Sequence, residues 1–161
     1  FSDAHLLRDS KQLRESTRDA IFLSIIPHIY LGIGIVSHRT IDYSNILKAT
    51  LLAMKKSIRR CSGYFDHIIV DGNKVPSISA SCEAMVKADQ TISEVQAASI
   101  CAKVLRDRLM KKYHGIYSHY GFGQHKGYGT KGHYNMLSEQ GASPIHRKSF
   151  NLGLLENKYR N

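Results

Sequence analysis

The pattern of apolar and polar positions along the chain predicts alternating strands and helices. Residues 29–36 alternate in the two-residue period of a strand, and residues 67–71 form a short, mostly β-branched run that ends at Asp71. A second apolar run, residues 84–86, precedes Asp89. We therefore predict one strand over residues 29–36, one that ends at Asp71 and one that ends near Asp89.

Apolar residues that recur at intervals of three and four predict four helices. In chain order these are residues 15–25, ended before Pro27; a helix with the apolar stripe Leu47, Leu51, Met54 and Ile58, capped by Asp42 or Ser44; a helix from Ser93 through Leu109; and about 130–140, ended by Gly141. The stripe is expected to face the core. Since helices and strands alternate without a repeat or linker, we predict a single α/β domain over residues 1–161.

The glycines at positions 32 and 34 fall inside the first predicted strand. Glycine in a strand indicates a bend or a close approach of another backbone, because it has no side chain to keep a neighbour away. We expect one of these at Gly32 and Gly34.

Two carboxylates, Asp71 and Asp89, each follow an apolar run. Carboxylates at strand ends are suited to hold hard cations such as Mg²⁺ or Mn²⁺. The alternative is that both are turn residues, since aspartate often bonds its own backbone in turns, and spacing alone favours this alternative. Asp66 and Glu83 lie near the opposite ends of their strands, so the pattern supplies two ligands, half of a site for two metal ions.

The composition excludes several classes of protein. With 42% apolar and 22% charged residues, the chain is typical of a globular protein and not of a disordered one. No apolar stretch approaches the length of a membrane span, and the first residues lack a secretory pattern, so a cytoplasmic location without membrane contact is expected. Three widely spaced cysteines favour neither a zinc site nor a disulfide framework.

The charge indicates an acidic partner. The net charge is +10, and residues 103–148 contain nine lysines and arginines against two acidic residues. A surface so rich in one charge is typical of proteins that contact nucleic acid. Within this segment lies a loop of glycine, tyrosine and histidine, residues 120–129, which contains Lys126 and Tyr128. Stacking of Tyr128 on nucleic acid and packing of an ordinary aromatic loop on the core both remain open.

Several motifs occur in the order in which bacterial ribonuclease HII has them, and the chain closely resembles that family over residues 8–150. The motifs are Asp9-Ser10-Lys11-Gln12-Leu13; Ile41-Asp42 with Asn45-Ile46 and Ala49; Val70-Asp71-Gly72-Asn73; Lys87-Ala88-Asp89; residues 97–104 with Arg106-Asp107; Gly121-Phe122; residues 125–130; and residues 146–150. Each motif alone is weak, but together and in register they are specific.

The resemblance implies a fold and an activity. The fold is RNase H-like: a five-stranded mixed β-sheet flanked by helices, with a C-terminal helical region, about residues 115–161, over the substrate groove. The activity is endonucleolytic cleavage of RNA in RNA–DNA hybrids and of single ribonucleotides embedded in duplex DNA, with Mn²⁺ or Mg²⁺ as cofactor. The partners are these nucleic acids, and a monomer is expected.

The resemblance also implies roles for individual residues. Asp71 and Asp89 match catalytic, metal-binding acids, and Tyr128 matches the tyrosine that packs on the sugar at the RNA–DNA junction. Lys11, Ser99 and Lys103 match positions that line the groove or contact the nucleic-acid backbone. From the basic segment we add Lys126 and Arg147 as predicted nucleic-acid contacts.

The chain departs from the family pattern at its start. The family begins with a strand that carries an Asp-Glu pair, followed by a Gly-Arg-Gly loop, and neither motif occurs in the chain. We therefore expect the sequence to be N-terminally incomplete. The alternative is a catalytically inactive fragment that binds RNA–DNA hybrids. A different RNase H-like nuclease or recombinase is a third possibility, which the Tyr128 loop disfavours.

Overall fold

The computed structural model describes residues 13–150 and confirms an α/β fold that is mostly helical. Its helices are α1 (Glu15–Ile25), α2 (His38–Tyr43), α3 (Ile46–Arg60), α4 (Ser93–Ile116), α5 (Phe122–His125) and α6 (Lys131–Gln140), and its strands are β1 (Ile68–Asp71) and β2 (Cys82–Met85). Short 3-10 turns lie at Ile26–His28, Ala88–Gln90 and Ser118–Tyr120. Within residues 13–150 the sheet has two strands, where the resemblance implies five.

The described residues divide into two compact units. The first unit contains residues 13–36 and 46–104, and the second contains residues 37–45 and 105–150. Helix α4 contributes residues to both units. The single domain over residues 1–161 and the groove function of residues 115–161 stay predictions.

In the first unit, β1 and β2 pair in parallel. Ile68 lies opposite Cys82 and Asp71 lies opposite Met85, so the two strands end together at one edge of the sheet. The predicted strand end at Asp71 is confirmed, whereas the one predicted near Asp89 is wrong, because β2 ends at Met85 and Asp89 lies in a 3-10 turn. The amide of Gly72 donates to the carbonyl of Met85 at 3.1 Å and extends the pairing past Asp71. The buried apolar side chains of this unit come from α1, α3, β1, the turn after β2 and α4: Ile21, Phe22, Ile25, Ala49, Val70, Ala88, Val95, Ile100, Cys101 and Val104.

The predicted strand over residues 29–36 is wrong, although the segment is free of helix. Within residues 13–150, side chains of α3 and not a neighbouring strand donate to its carbonyls: Ser57 Oγ donates to Gly32 O at 2.7 Å, and Arg60 Nη1 donates to Ile33 O at 3.0 Å. The expected close approach at the glycines is confirmed. A Cβ built on Gly34 would lie 1.8 Å from Ala53 O.

The predicted caps of α3 need correction. Asp42 lies inside the separate helix α2, whose N-cap is Ser37, and Ser44 ends α2. The stripe is only partly in the core, because Leu47 is 48% exposed and Ala49 is the buried residue of α3. A single helical pattern in the sequence thus corresponds to two helices separated at residues 44–45.

The second unit has a small aromatic core. Met110, Tyr120, Phe122 and Leu137 are buried together, and the rings of Tyr120 and Phe122 stack at 5.5 Å. The predicted last helix is confirmed as α6, since Thr130 caps its start and Gly141 follows its end with a positive φ of 72°. Among the described residues, no helix is long and apolar enough to cross a membrane.

Candidate active site

Asp71 presents its carboxylate at the edge of the sheet where both strands end. The residue before it, Val70, is buried and holds the strand in the core, whereas Asp71 is exposed. Its Oδ1 accepts a hydrogen bond from the amide of Ala88 at 3.1 Å. This bond ties the end of β1 to the segment that follows β2. In open α/β sheets, ligands bind at the carboxyl ends of the strands, which is where Asp71 lies.

Asp89 lies in the 3-10 turn that follows β2. The strand ends at Met85, so Asp89 is four residues beyond it, and the chain turns at Lys87 with a left-handed φ of 61°. Asp89 is buried, next to a fully buried Ala88. Since the amide that donates to the Asp71 carboxylate belongs to the residue just before Asp89, the two acidic residues lie close together in the first unit.

The donor set of this edge is suited to a hard divalent cation. Asp71 and Asp89 supply carboxylate oxygens, the ligands that Mg²⁺ and Mn²⁺ prefer, and Mg²⁺ is commonly held by one or two carboxylates together with phosphate oxygens. Residues 13–150 contain no group of three or more His, Cys, Asp or Glu side chains arranged to hold a metal. The two carboxylates therefore fit such an ion in kind, within a site that needs further ligands.

Ser99 and Lys103 lie on α4 in the first unit. They are four residues apart and so lie one above the other on one face of the helix, and both are partly buried. The neighbouring Ile100, Cys101 and Val104 are buried and hold this part of α4 in the core. Contact of Ser99 and Lys103 with substrate stays a prediction, and Lys11 lies outside the described residues.

Tyr128 combines a fixed backbone with an exposed ring. Its amide donates to the carbonyl of His125 at 2.8 Å, and its carbonyl accepts from the amide of Thr130 at 2.9 Å. The carbonyl also lies 3.0 Å from His133 Nδ1, while the residue is 56% exposed. Tyr120 and Phe122 of the same loop are buried in the core, whereas Tyr128 is not. Stacking of Tyr128 on nucleic acid stays a prediction.

Lys126 is turned into the protein. The residue is 7% exposed, and its ammonium group donates to the carbonyl of Gly123. Its own carbonyl accepts from Arg106 Nη2 at 3.3 Å. These contacts favour a role in holding the loop that carries Tyr128, and contact of Lys126 with nucleic acid stays a prediction.

Arg147 lies next to residues 148–149, whose backbone amides donate to the carboxylate of Asp42. The Asp42 carboxylate accepts from the amides of Lys148 at 3.0 Å and Ser149 at 2.9 Å, and from the Ser149 hydroxyl at 2.7 Å. Burial acts to raise the pKa of Asp42, but these hydrogen bonds outweigh it and lower the pKa. Arg147 is half-buried, with Cζ 4.3 Å from the centre of the Phe150 ring. Asp42 therefore fixes the backbone of residues 148–149.

Comparison with known proteins decides the family. The profile of the family described as Ribonuclease HII matches residues 4–152. The chain belongs to the ribonuclease HII family. Ribonuclease HII of Clostridioides difficile (strain 630) is 46% identical over 145 residues, which cover 89% of the chain and 57% of that relative. Ribonuclease HII of Psychromonas ingrahamii is 42% identical over 155 residues, which cover 92% of the chain and 76% of that relative.

A third relative agrees with these two. Ribonuclease HII of Francisella tularensis subsp. novicida is 43% identical over 145 residues, or 89% of the chain and 78% of that relative. The chain thus spans between 57% and 78% of the length of these relatives.

Sequence reasoning missed a buried polar group in the second unit, formed by His133, His146 and Ser143. The two histidines join through their Nε2 atoms at 3.0 Å, and His146 Nδ1 accepts from the amide of Ser143 at 2.9 Å. The signal was present: His133 is four residues before the buried Leu137 and so occupies the apolar face of α6. A histidine at such a position indicates an internal hydrogen-bond network.

This histidine pair is expected to make folding sensitive to mild acid. Burial and the neighbouring His133, with smaller contributions from His125 and His38, lower the pKa of His146 to about 4, and burial lowers the pKa of His133 as well. Below pH 6.5, the ordinary pKa of a histidine, His146 becomes protonated in the unfolded chain but stays neutral in the folded chain. The free energy of unfolding should therefore fall between pH 6.5 and 4, by about 3 kcal/mol from His146.

Urea unfolding across this pH range tests the expectation, with His146→Gln as the comparison. The variant should be less stable at pH 7 but should show a flatter dependence on pH. Asp42 is unchanged in the variant, so its lowered pKa contributes equally to both proteins. An equal slope in both proteins would contradict the assignment.

Proposed function

We propose that this protein cleaves RNA in RNA–DNA hybrids and at single ribonucleotides embedded in duplex DNA, by metal-dependent hydrolysis of the phosphodiester. The observation that carries the proposal is the bond between Asp71 Oδ1 and the amide of Ala88, which ties the Asp71 carboxylate to the segment that contains Asp89, in a chain of this family. Carboxylates so placed suit phosphodiester hydrolysis, where divalent ions neutralise charge on the phosphate.

The roles of individual residues follow from the family motifs that they match and from the basic segment. Asp71 and Asp89 would hold Mg²⁺ or Mn²⁺, which when bound supplies an activated water and stabilises charge on the phosphate. Ser99 and Lys103, one turn apart on α4, contact the nucleic-acid backbone. Lys11 and Arg147 add positive charge for phosphates. Because such contacts release counterions, affinity for hybrid should fall steeply as salt rises.

A defined substrate tests the function directly. The full-length protein is incubated with duplex DNA that contains one ribonucleotide, with Mg²⁺, with Mn²⁺ or with a chelator, beside an all-DNA duplex. We expect one cut at the ribonucleotide, with either ion only. If the protein binds hybrid but cuts the substrate under none of these conditions, the alternative is favoured, an inactive hybrid-binding protein. A cytoplasmic location and a monomeric state stay predictions.

Tyr128→Ala is expected to weaken cleavage at an embedded ribonucleotide by about 1–3 kcal/mol in kcat/KM, the range for loss of a stacked aromatic ring. Tyr128→Phe keeps the ring face and should be mild. The matched control is Tyr64→Ala, which removes another exposed tyrosine, in the first unit. Steady-state kinetics on the same duplex measure all three. Equal losses for Ala and Phe would assign the effect to the hydroxyl group and contradict stacking.

A further inference from the structure

In the second unit, the hydrogen bonds of the buried pair His133 and His146 lead to Tyr128, the residue with the exposed aromatic ring. His133 is 6% exposed, His146 9% and Ser143 7%, and all lie in residues 105–150 of the second unit. His133 Nδ1 lies 3.0 Å from the carbonyl of Tyr128. The remaining links run from His133 to His146 and from His146 to Ser143.

The hydrogen-bond partners fix the proton on each ring. The Ser143 amide can only donate, so His146 Nδ1 accepts, and the proton of neutral His146 is on Nε2. That proton points to His133 Nε2, 3.0 Å away, which must accept. The proton of His133 is therefore on Nδ1 and is donated to the Tyr128 carbonyl. One arrangement of protons satisfies every link from Ser143 to Tyr128.

A second contact supports the same loop. The rings of His125 and His133 stack with centroids 4.2 Å apart and planes 17° apart. His125 Nδ1 accepts from the amide of Gly127 at 3.1 Å, so its Nε2 donates to the carbonyl of Tyr120 at 2.6 Å. The backbone on both sides of Tyr128 is thus held by imidazoles, which fix that backbone and leave the ring exposed.

We propose that His133 and His146 are positioning residues that hold the backbone of Tyr128 and thereby aim its ring at the nucleic acid. His133 acts on Tyr128 directly, and His146 acts through His133 by keeping its proton on Nδ1. The inference rests on the proposed function only for the identity of the stacking partner. The orientation of Tyr128 by the histidine pair is a property of the protein alone.

The positioning role is tested first without any activity. The chain contains no tryptophan, so Tyr128→Trp introduces a fluorophore whose anisotropy reports on mobility at this position. In that background His133→Leu should lower the anisotropy, and His133→Asn should largely preserve it, since an asparagine amide nitrogen can replace Nδ1 as the donor to the carbonyl. His119→Gln is the matched control, an exposed histidine against the Tyr120 ring. Unchanged anisotropy in His133→Leu overturns the inference.

If thermal melts show that His133→Leu does not fold, the anisotropies of two amide variants, His133→Asn and His133→Gln, are compared instead. His133→Asn retains the donor to Tyr128 and loses the link to His146, whereas His133→Gln reaches toward His146 and loses the donor to Tyr128. Positioning requires higher anisotropy in the Asn variant. Higher anisotropy in the Gln variant would make the pair a support of α6 alone and overturn the proposal.

A double-mutant cycle then connects position to cleavage. His133→Leu should lower kcat/KM at an embedded ribonucleotide roughly tenfold when Tyr128 is present, and by less than about twofold in the Tyr128→Ala background, because residues that act as one unit are not additive. The same loss in both backgrounds overturns the proposal. Failure of the unmodified protein to cleave would instead overturn the proposed function, and the anisotropy measurement would still decide the role of the histidines.

Discussion

Asp71→Asn, made in the full-length protein, is expected to lower cleavage at an embedded ribonucleotide by roughly 10²–10³-fold. The asparagine keeps an oxygen that can accept from the amide of Ala88, so the tie between the two strand ends survives. What it loses is the negative charge that a hard cation needs. Loss of several kcal/mol of charge stabilisation corresponds to a fall in rate of about this size.

Asp66→Asn is the matched control, because Asp66 is an exposed acid of the first unit that precedes β1, away from the sheet edge where Asp71 lies. The cleavage activity of Asp66→Asn should equal that of the unmodified protein. Hybrid binding in the absence of cleavage and the free energy of unfolding are measured for both variants. If Asp71→Asn loses binding, stability and cleavage together, Asp71 is a structural turn residue and the metal role is wrong.

The turn interpretation of Asp71 expects its carboxylate to accept a hydrogen bond from a neighbouring backbone amide. In the structure the donating amide belongs to Ala88, 17 residues further along the chain. Local turn chemistry cannot anticipate a partner so distant. The strand pattern does anticipate the end of β1 at Asp71, whereas β2 ends at Met85, four residues before Asp89.

The elements that the sequence predicted well are those whose signals are local. Helix α6 has its cap at Thr130 and its stop at Gly141, and β1 is a run of three β-branched residues that ends at Asp71. The segment over residues 29–36 failed for a physical reason. Alternation indicates an extended backbone but does not say which groups bond its carbonyls, and here side chains of α3 do so.

The nucleic-acid residues show a similar division. Exposure of Tyr128 agrees with the glycines on either side of it, a feature that the sequence displays. Burial of Lys126 does not follow from its charge, since a left-handed φ of 52° and the carbonyl of Gly123 turn this side chain inward. Contacts made by the fold, and not residue type, decide which cations of a basic segment remain available.

Gly34→Ala is expected to destabilise the protein by more than about 3 kcal/mol, at the upper end for overpacking of a well-filled site. The added Cβ would lie 1.8 Å from the carbonyl oxygen of Ala53 and 2.7 Å from the amide of Ser57, both of them backbone atoms of α3. Backbone atoms inside a helix cannot move aside as the end of a flexible side chain can. Residues 29–36 would have to leave α3 and give up their bonds to its side chains.

Gly115→Ala is the matched control, because it adds the same methyl group within helix α4, where nothing lies within 4 Å of the new Cβ. Alanine favours a helix over glycine, so this variant should be more stable by up to about 1 kcal/mol. Urea unfolding of the unmodified protein and of both variants, with equal m-values, measures the two changes in the free energy of unfolding. The two substitutions should therefore differ in sign. A neutral Gly34→Ala would mean that residues 29–36 do not lie against α3 and that their extended backbone has another partner.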